Sequence, residues 1–129
     1  MIAAWDAPRG RARAVLVLAH GAGSDHRAAL LAHLAKQLPA HGIAVARFDF
    51  GYRAAGRKLP SPMPTLIPEW EAVVGEVRAR ARGAPIFVGG KSMGGRAATH
   101  LVAERPESSA DVRGVVLLGY PLHPAGKPE

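Results

Sequence analysis

Residues 86–96, IFVGGKSMGGR, constrain what this chain can fold into more than any other stretch. Three apolar strand formers run into a glycine pair, Lys91 and Ser92, and a second glycine pair opens Met93–Glu104, whose composition favours helix. A strand turning into a helix over so few residues is a building unit of α/β folds. Two chemistries can be written on it. Read as the end of a phosphate loop, Gly90-Lys91-Ser92 would wrap a nucleotide phosphate and let the lysine neutralise it. Read as G-x-S-x-G, residues 90–94 put Ser92 on the sharp turn that exposes a nucleophile.

The rest of the chain repeats the alternation. Ala14–Ala19 (AVLVLA) is a continuous apolar run, as expected of a strand buried on both faces, and it ends in His20-Gly21-Ala22-Gly23. From Ser24 and Asp25, which offer N-cap chemistry, Leu30, Leu31, Leu34 and Leu38 recur at helical spacing up to Pro39. Ile43–Phe48 reads as a second strand, with Asp49 at its end. Residues 51–64 mix glycine, proline and basic residues without period and read as a loop. Thr65–Arg82 returns to helical spacing, Ile86–Val88 is a third strand, and Val112–Leu118 a fourth. Strands alternating with helices predict right-handed crossovers and a parallel sheet covered on both faces, in other words an α/β/α sandwich. The working edge of such a sheet lies beyond the carboxyl ends of its strands. Residues 20–23, 49–53, 90–94 and 119–123 all fall there.

That placement favours the nucleophile turn. A phosphate loop requires a glycine where this chain has Pro85, and strand residues at 86–88 leave too little loop to form a nest of N–H groups. The nucleophile turn, by contrast, uses Gly90 and Gly94 as the small flanks of a strained serine. The N–H of Met93, at a helix N-terminus, would then face a developing oxyanion. A second donor is expected from the glycine-rich loop after the first strand, with Ala22 preferred and Gly23 as the alternative. His20 reads as a residue that orients its own loop. His26, His33 and His41 read as solvated helix or cap residues, Lys91 as an exposed neighbour of the serine, and Arg96 as packing on the following turn.

Composition bounds the remaining possibilities. With 129 residues, 48% of them hydrophobic, the chain holds enough apolar material for one core, so 1–129 is read as a single domain. No run approaches a membrane span, the first residues lack the apolar centre of a secretory signal, and cysteine is absent, so a cytoplasmic protein is expected. The net charge of +7 invites nucleic acid, but the arginines are scattered and aromatics make up only 5% of the chain. Both features argue against it.

Four segments together, LAHGAG (18–23), RFDFGYRAAGRK (47–58), GGKSMGGR (89–96) and GYPLHPAGKPE (119–129), resemble an α/β-hydrolase family related to dienelactone hydrolases. That family includes bacterial predicted hydrolases, testis-expressed protein thirty and a subunit of the NSL chromatin complex. The resemblance implies a sheet in which the four strands stand in the spatial order second, first, third, fourth, preceded by early hairpin strands reduced here to about Ile2–Asp6. It also implies Ser92 as nucleophile, oxyanion donors at Ala22 and Met93, no metal and no cofactor. The substrate implied is a small acyl compound, an ester or thioester. In the family the triad acid and histidine follow on loops after two further strands, so the core is expected to be truncated after its fourth strand.

Within the chain, His123 lies on the correct edge and is the candidate base. His100, eight residues along the helix from Ser92, would stand about 12 Å up its axis. Asp111 precedes the fourth strand and belongs to the opposite edge, whereas Asp49 is on the correct edge and equally readable as structural. Two outcomes stay open: an acyl hydrolase using Ser92, or a truncated, non-catalytic binding or scaffold domain. The uncovered edge of the last strand predicts pairing between two copies.

Overall fold

The computed structural model describes residues 1–119. Five strands form one sheet: β1 (Ile2–Asp6), β2 (Ala14–Ala19), β3 (Ile43–Phe48), β4 (Ile86–Lys91) and β5 (Val112–Leu118), in the order β1-β3-β2-β4-β5. The last four run parallel in the spatial order expected, and β1 joins β3 antiparallel. β2 is flanked on both sides, so its whole run from Val15 to Ala19 is buried.

The helices are α1 (Ala29–Gln37), α2 (Gly51–Ala54), α3 (Met63–Ala81) and α4 (Met93–Glu104), with a 3-10 turn at Leu38–His41. Side chains alternate across a strand. Val15, Val17, Ala44, Ala46 and Phe48 therefore face one way, against Trp70, Val73, Val74 and Val77 of α3 and Ala97, Ala98 and Leu101 of α4. Leu16, Leu18 and Val45 face the other way, against Leu31 and Ala35 of α1. On that second face Phe87, Val116 and Leu118 are only partly covered, because α1 lies over β2 and β3. No helix among the described residues is long and apolar enough to cross a membrane.

Three differences from the sequence reading bear on the site, besides a third helix that starts at Met63 rather than Thr65. The first helix begins at Ala29 rather than near Ser24, since the Asp25 carboxylate accepts the Arg27 N–H (2.8 Å) and Asp49 accepts the His26 N–H (2.7 Å). These bonds hold the backbone at 25–27 out of a helical ladder. The segment read as loop from 51 contains the single turn α2, which buries Tyr52. β4 continues through Gly89, Gly90 and Lys91, because β2 and β5 offer a ladder on either side. Only glycine fits there: a Cβ on Gly89 would stand 2.1 Å from the Val116 carbonyl oxygen.

Candidate active site at the carboxyl edge of the sheet

Ser92 is the single residue between β4 and α4, and its backbone stands at φ 51°, ψ −116°. Left-handed φ in a non-glycine residue costs on the order of 1–3 kcal/mol and persists only where the surroundings dictate it. Here they do. Ser92 donates its N–H to the Leu118 carbonyl on β5 (3.1 Å) and accepts that of Arg96 (3.0 Å). The flanking glycines let the turn press against β2: a Cβ on Gly90 would lie 2.3 Å from the Ala19 oxygen, and one on Gly94 2.4 Å from the His20 oxygen. Trp70, fully buried, donates its indole N–H to the Gly94 carbonyl at 3.2 Å and so ties α3 to the same turn.

This geometry decides between the two readings of Gly90-Lys91-Ser92. With strand running to Lys91 and helix beginning at Met93, no loop remains in which N–H groups could encircle a phosphate.

The opposing wall is the 20–28 loop, and a buried network keeps it in place. His20 is fully buried. Its Nδ1–H donates to the Gly21 carbonyl (2.8 Å), so Nε2 is the acceptor for the Phe50 N–H (3.0 Å). Burial pushes its pKa below the usual histidine value, in keeping with the neutral tautomer these bonds require. His20 thus orients its loop, as its sequence context suggested. Tyr52 accepts the Gly23 N–H through its hydroxyl (3.2 Å), and Arg53 donates from Nε to the Ser24 carbonyl (2.8 Å). Gly21 lies against the serine turn, where a Cβ would sit 3.7 Å from that of Ser92.

The loop bonds separate the two candidate donors. The Gly23 N–H is occupied by Tyr52, while the N–H groups of Ala22 and Met93 have no acceptor among the described residues. The Ser92 hydroxyl likewise has no partner among them. His123 lies outside the described residues.

The other titratable groups have different duties. His26, read as a solvated cap, is instead half-buried, with Nδ1 2.9 Å from both carboxylate oxygens of Asp49. Asp49 therefore clamps the loop by both the ring and the backbone of His26. Arg47 adds a bond from Nη1 to the His26 carbonyl (2.9 Å). His33 and His41 are exposed as expected, and His100 pairs with Glu104 on its own helix (2.6 Å). Asp111 pairs with Arg78, whose guanidinium holds its carboxyl below the usual range. Lys91 and Arg96 are exposed. Asp25, His26 and Asp49 each offer an atom within 4.8 Å of the others, as a cation would need. Arg27 and Arg53 already occupy the Asp25 carboxylate, however, and their charge opposes a metal there.

A mostly parallel sheet flanked by helices is also what comparison with known proteins returns. A family model described as an alpha/beta hydrolase domain matches residues 12–129. The chain belongs to the α/β-hydrolase family. Among solved α/β-hydrolase structures, a dienelactone hydrolase from Anabaena variabilis is similar, with a TM-score of 0.74 and 24% identity, covering 90% of this chain and 56% of its own. Est1E from Butyrivibrio proteoclasticus, solved with ferulic acid bound, gives 0.75 and 16%, covering 87% of this chain and 45% of its own. A thermostable carboxyl esterase from Bacillus coagulans gives 0.72 and 21%, covering 88% and 37%. The chain thus spans about half the length of these relatives or less, and the likeness establishes the shared fold.

Two parts of the site escaped the sequence reading. The Asp49–His26 pair was missed because 23 residues separate its members. The hold of Tyr52 on Gly23 was missed because a turn of helix was read as loop. A buried aromatic within an otherwise polar, glycine-rich stretch was the available signal.

Proposed function

We propose that the protein is a serine hydrolase acting on small esters or thioesters, with Ser92 as nucleophile. The observation that carries this reading is the strained Ser92 backbone, held by glycine packing against β2, with the N–H groups of the adjoining Met93 and of Ala22 in the neighbouring loop unpaired among the described residues. In the proposed reaction the Ser92 oxygen attacks the acyl carbon while a base takes its proton. The carbonyl oxygen gains negative charge between the two N–H groups, the alcohol or thiol leaves with a proton, and water then releases the acid by the reverse path. The family resemblance and the esterase and hydrolase neighbours support the acyl chemistry. The absence of membrane-spanning character among the described helices is compatible with a cytoplasmic setting.

The base in this reading is His123 or a histidine from a second copy docked along β5, an outer strand of the sheet among the described residues. The second reading, a non-catalytic hydrolase-like module, is favoured by the lack of any histidine bonded to Ser92 among the described residues.

Covalent labelling by a fluorophosphonate, read by intact mass on the full chain and on Ser92→Ala, separates the two. Labelling lost in the variant supports the hydrolase, and a rate that rises with protein concentration assigns the base to a second copy. A folded wild-type chain that stays unlabelled would refute the hydrolase reading in favour of the module.

A further inference from the structure

The two densest arginine runs of the sequence, RGRAR at 9–13 and RARAR at 78–82, lie about seventy residues apart, and the active-site reading uses neither. The fold brings them together. At the amino-terminal edge of the sheet, opposite Ser92, a cleft of about 790 Å³ is lined by Arg11, Arg80 and Arg82, with Trp5, Val15 and Ala44 among its apolar walls. No carboxylate lines it among the described residues. The acidic groups on neighbouring elements are already engaged: Asp6 pairs with Arg47 (3.2 Å), and Glu76 with the terminal amine of Met1 (3.5 Å).

Two of the three guanidiniums are also positioned by neutral groups. Arg11 donates from Nη2 to the Arg82 carbonyl (3.3 Å), and Arg80 lies over the Trp5 ring, 5.4 Å from its centroid. Neither contact cancels charge. By contrast Arg78, from the same run, is neutralised by Asp111 and is not among the residues that line the cleft. Guanidinium forks match the oxygens of a phosphate bidentately, and the volume is that of a small-molecule site.

We propose that this cleft is an anion site that takes a small phosphorylated molecule, its phosphate oxygens accepting from Arg11, Arg80 and Arg82. A concave site with apolar walls suits such a ligand better than the phosphate stripe of a nucleic acid, which binds along an extended basic surface.

The test is calorimetric titration of the full chain with inorganic pyrophosphate, adenosine diphosphate and a single-stranded DNA 12-mer. The wild type is compared with Arg11→Gln/Arg80→Gln/Arg82→Gln and with a control of equal charge loss elsewhere, Lys36→Gln/Arg96→Gln/Arg113→Gln. The expected result is one saturable pyrophosphate site, weakened roughly a hundredfold or more in the cleft variant and about twofold in the control. Equal affinity for adenosine diphosphate means the phosphates alone are read, and tighter binding means the apolar walls hold the organic part. Absence of saturable heat from the wild type would overturn the proposal. So would equal losses in the two triple variants, or DNA binding more tightly than both small anions.

Discussion

Replacing Gly94 by alanine probes the packing that holds the serine turn. On an exposed helix the change would stabilise, since alanine exceeds glycine by up to about 1 kcal/mol. At Gly94 the new Cβ would stand 2.4 Å from the His20 oxygen and 2.6 Å from that of Ala19. Both are backbone atoms of β2 and its loop, which cannot rotate aside. Relief therefore requires α4 to lift by about 1 Å, and a gap of that size forfeits up to about half of the dispersion attraction across it. The contacts at stake include Ala97, Ala98 and Leu101, all buried against the sheet, and the bond from Trp70 to the Gly94 carbonyl. Overpacking of this kind costs about 3 kcal/mol, of which the helix preference of alanine returns about 1. The net loss of about 2 kcal/mol corresponds to a fall in Tm of roughly 8 °C for a domain of this size. Gly75, exposed on α3 with nothing within 4 Å of its would-be Cβ, supplies the opposite case. Gly75→Ala is expected to gain about 0.8 kcal/mol. Urea unfolding of both variants, followed by far-UV circular dichroism, measures the pair. A Gly94→Ala chain as stable as wild type would refute the claim that the turn is set by steric closeness to β2.

Two further predictions concern the loop facing Ser92. His20 binds a proton less readily when folded, burial outweighing the opposing pull of the Gly21 carbonyl, Asp49 and Asp25. Between its lowered folded value and the usual 6.5, the unfolded chain carries more protons, so the His20 contribution is complete above that window and is lost as pH falls through it. Denaturant midpoints at a series of pH values should show this slope, at most about 1.4 kcal/mol per pH unit, and it should be absent in His20→Asn. Tyr52→Phe removes the acceptor for the Gly23 N–H; a loss of about 1 kcal/mol in the same unfolding assay is expected, and an unchanged stability would show that water replaces the hydroxyl freely.

Much of the architecture is legible from short-range pattern. The apolar run at 14–19 and the glycine pairs around Ser92 carry their own geometry, since a strand buried on both faces must be apolar throughout and a strained turn against a strand must lack side chains. The end of β4 was less legible, because Gly89 and Gly90 look like loop until β2 and β5 supply their ladder and approach too closely for any Cβ. The start of α1 failed for a related reason. Leucine spacing marks the helix, yet Asp49, more than twenty residues away, takes the His26 N–H and delays it.

The sequence by itself determined the order of the four parallel strands and of the longer helices, the identity of the turn serine and the edge on which it stands, because periodicity and glycine placement act within a few residues. Only the tertiary structure decided that Tyr52 takes the Gly23 N–H, which aspartate clamps His26, and that two distant arginine runs line one cleft. Each of those depends on groups that meet only when the sheet assembles, and no local rule of side-chain preference contains them.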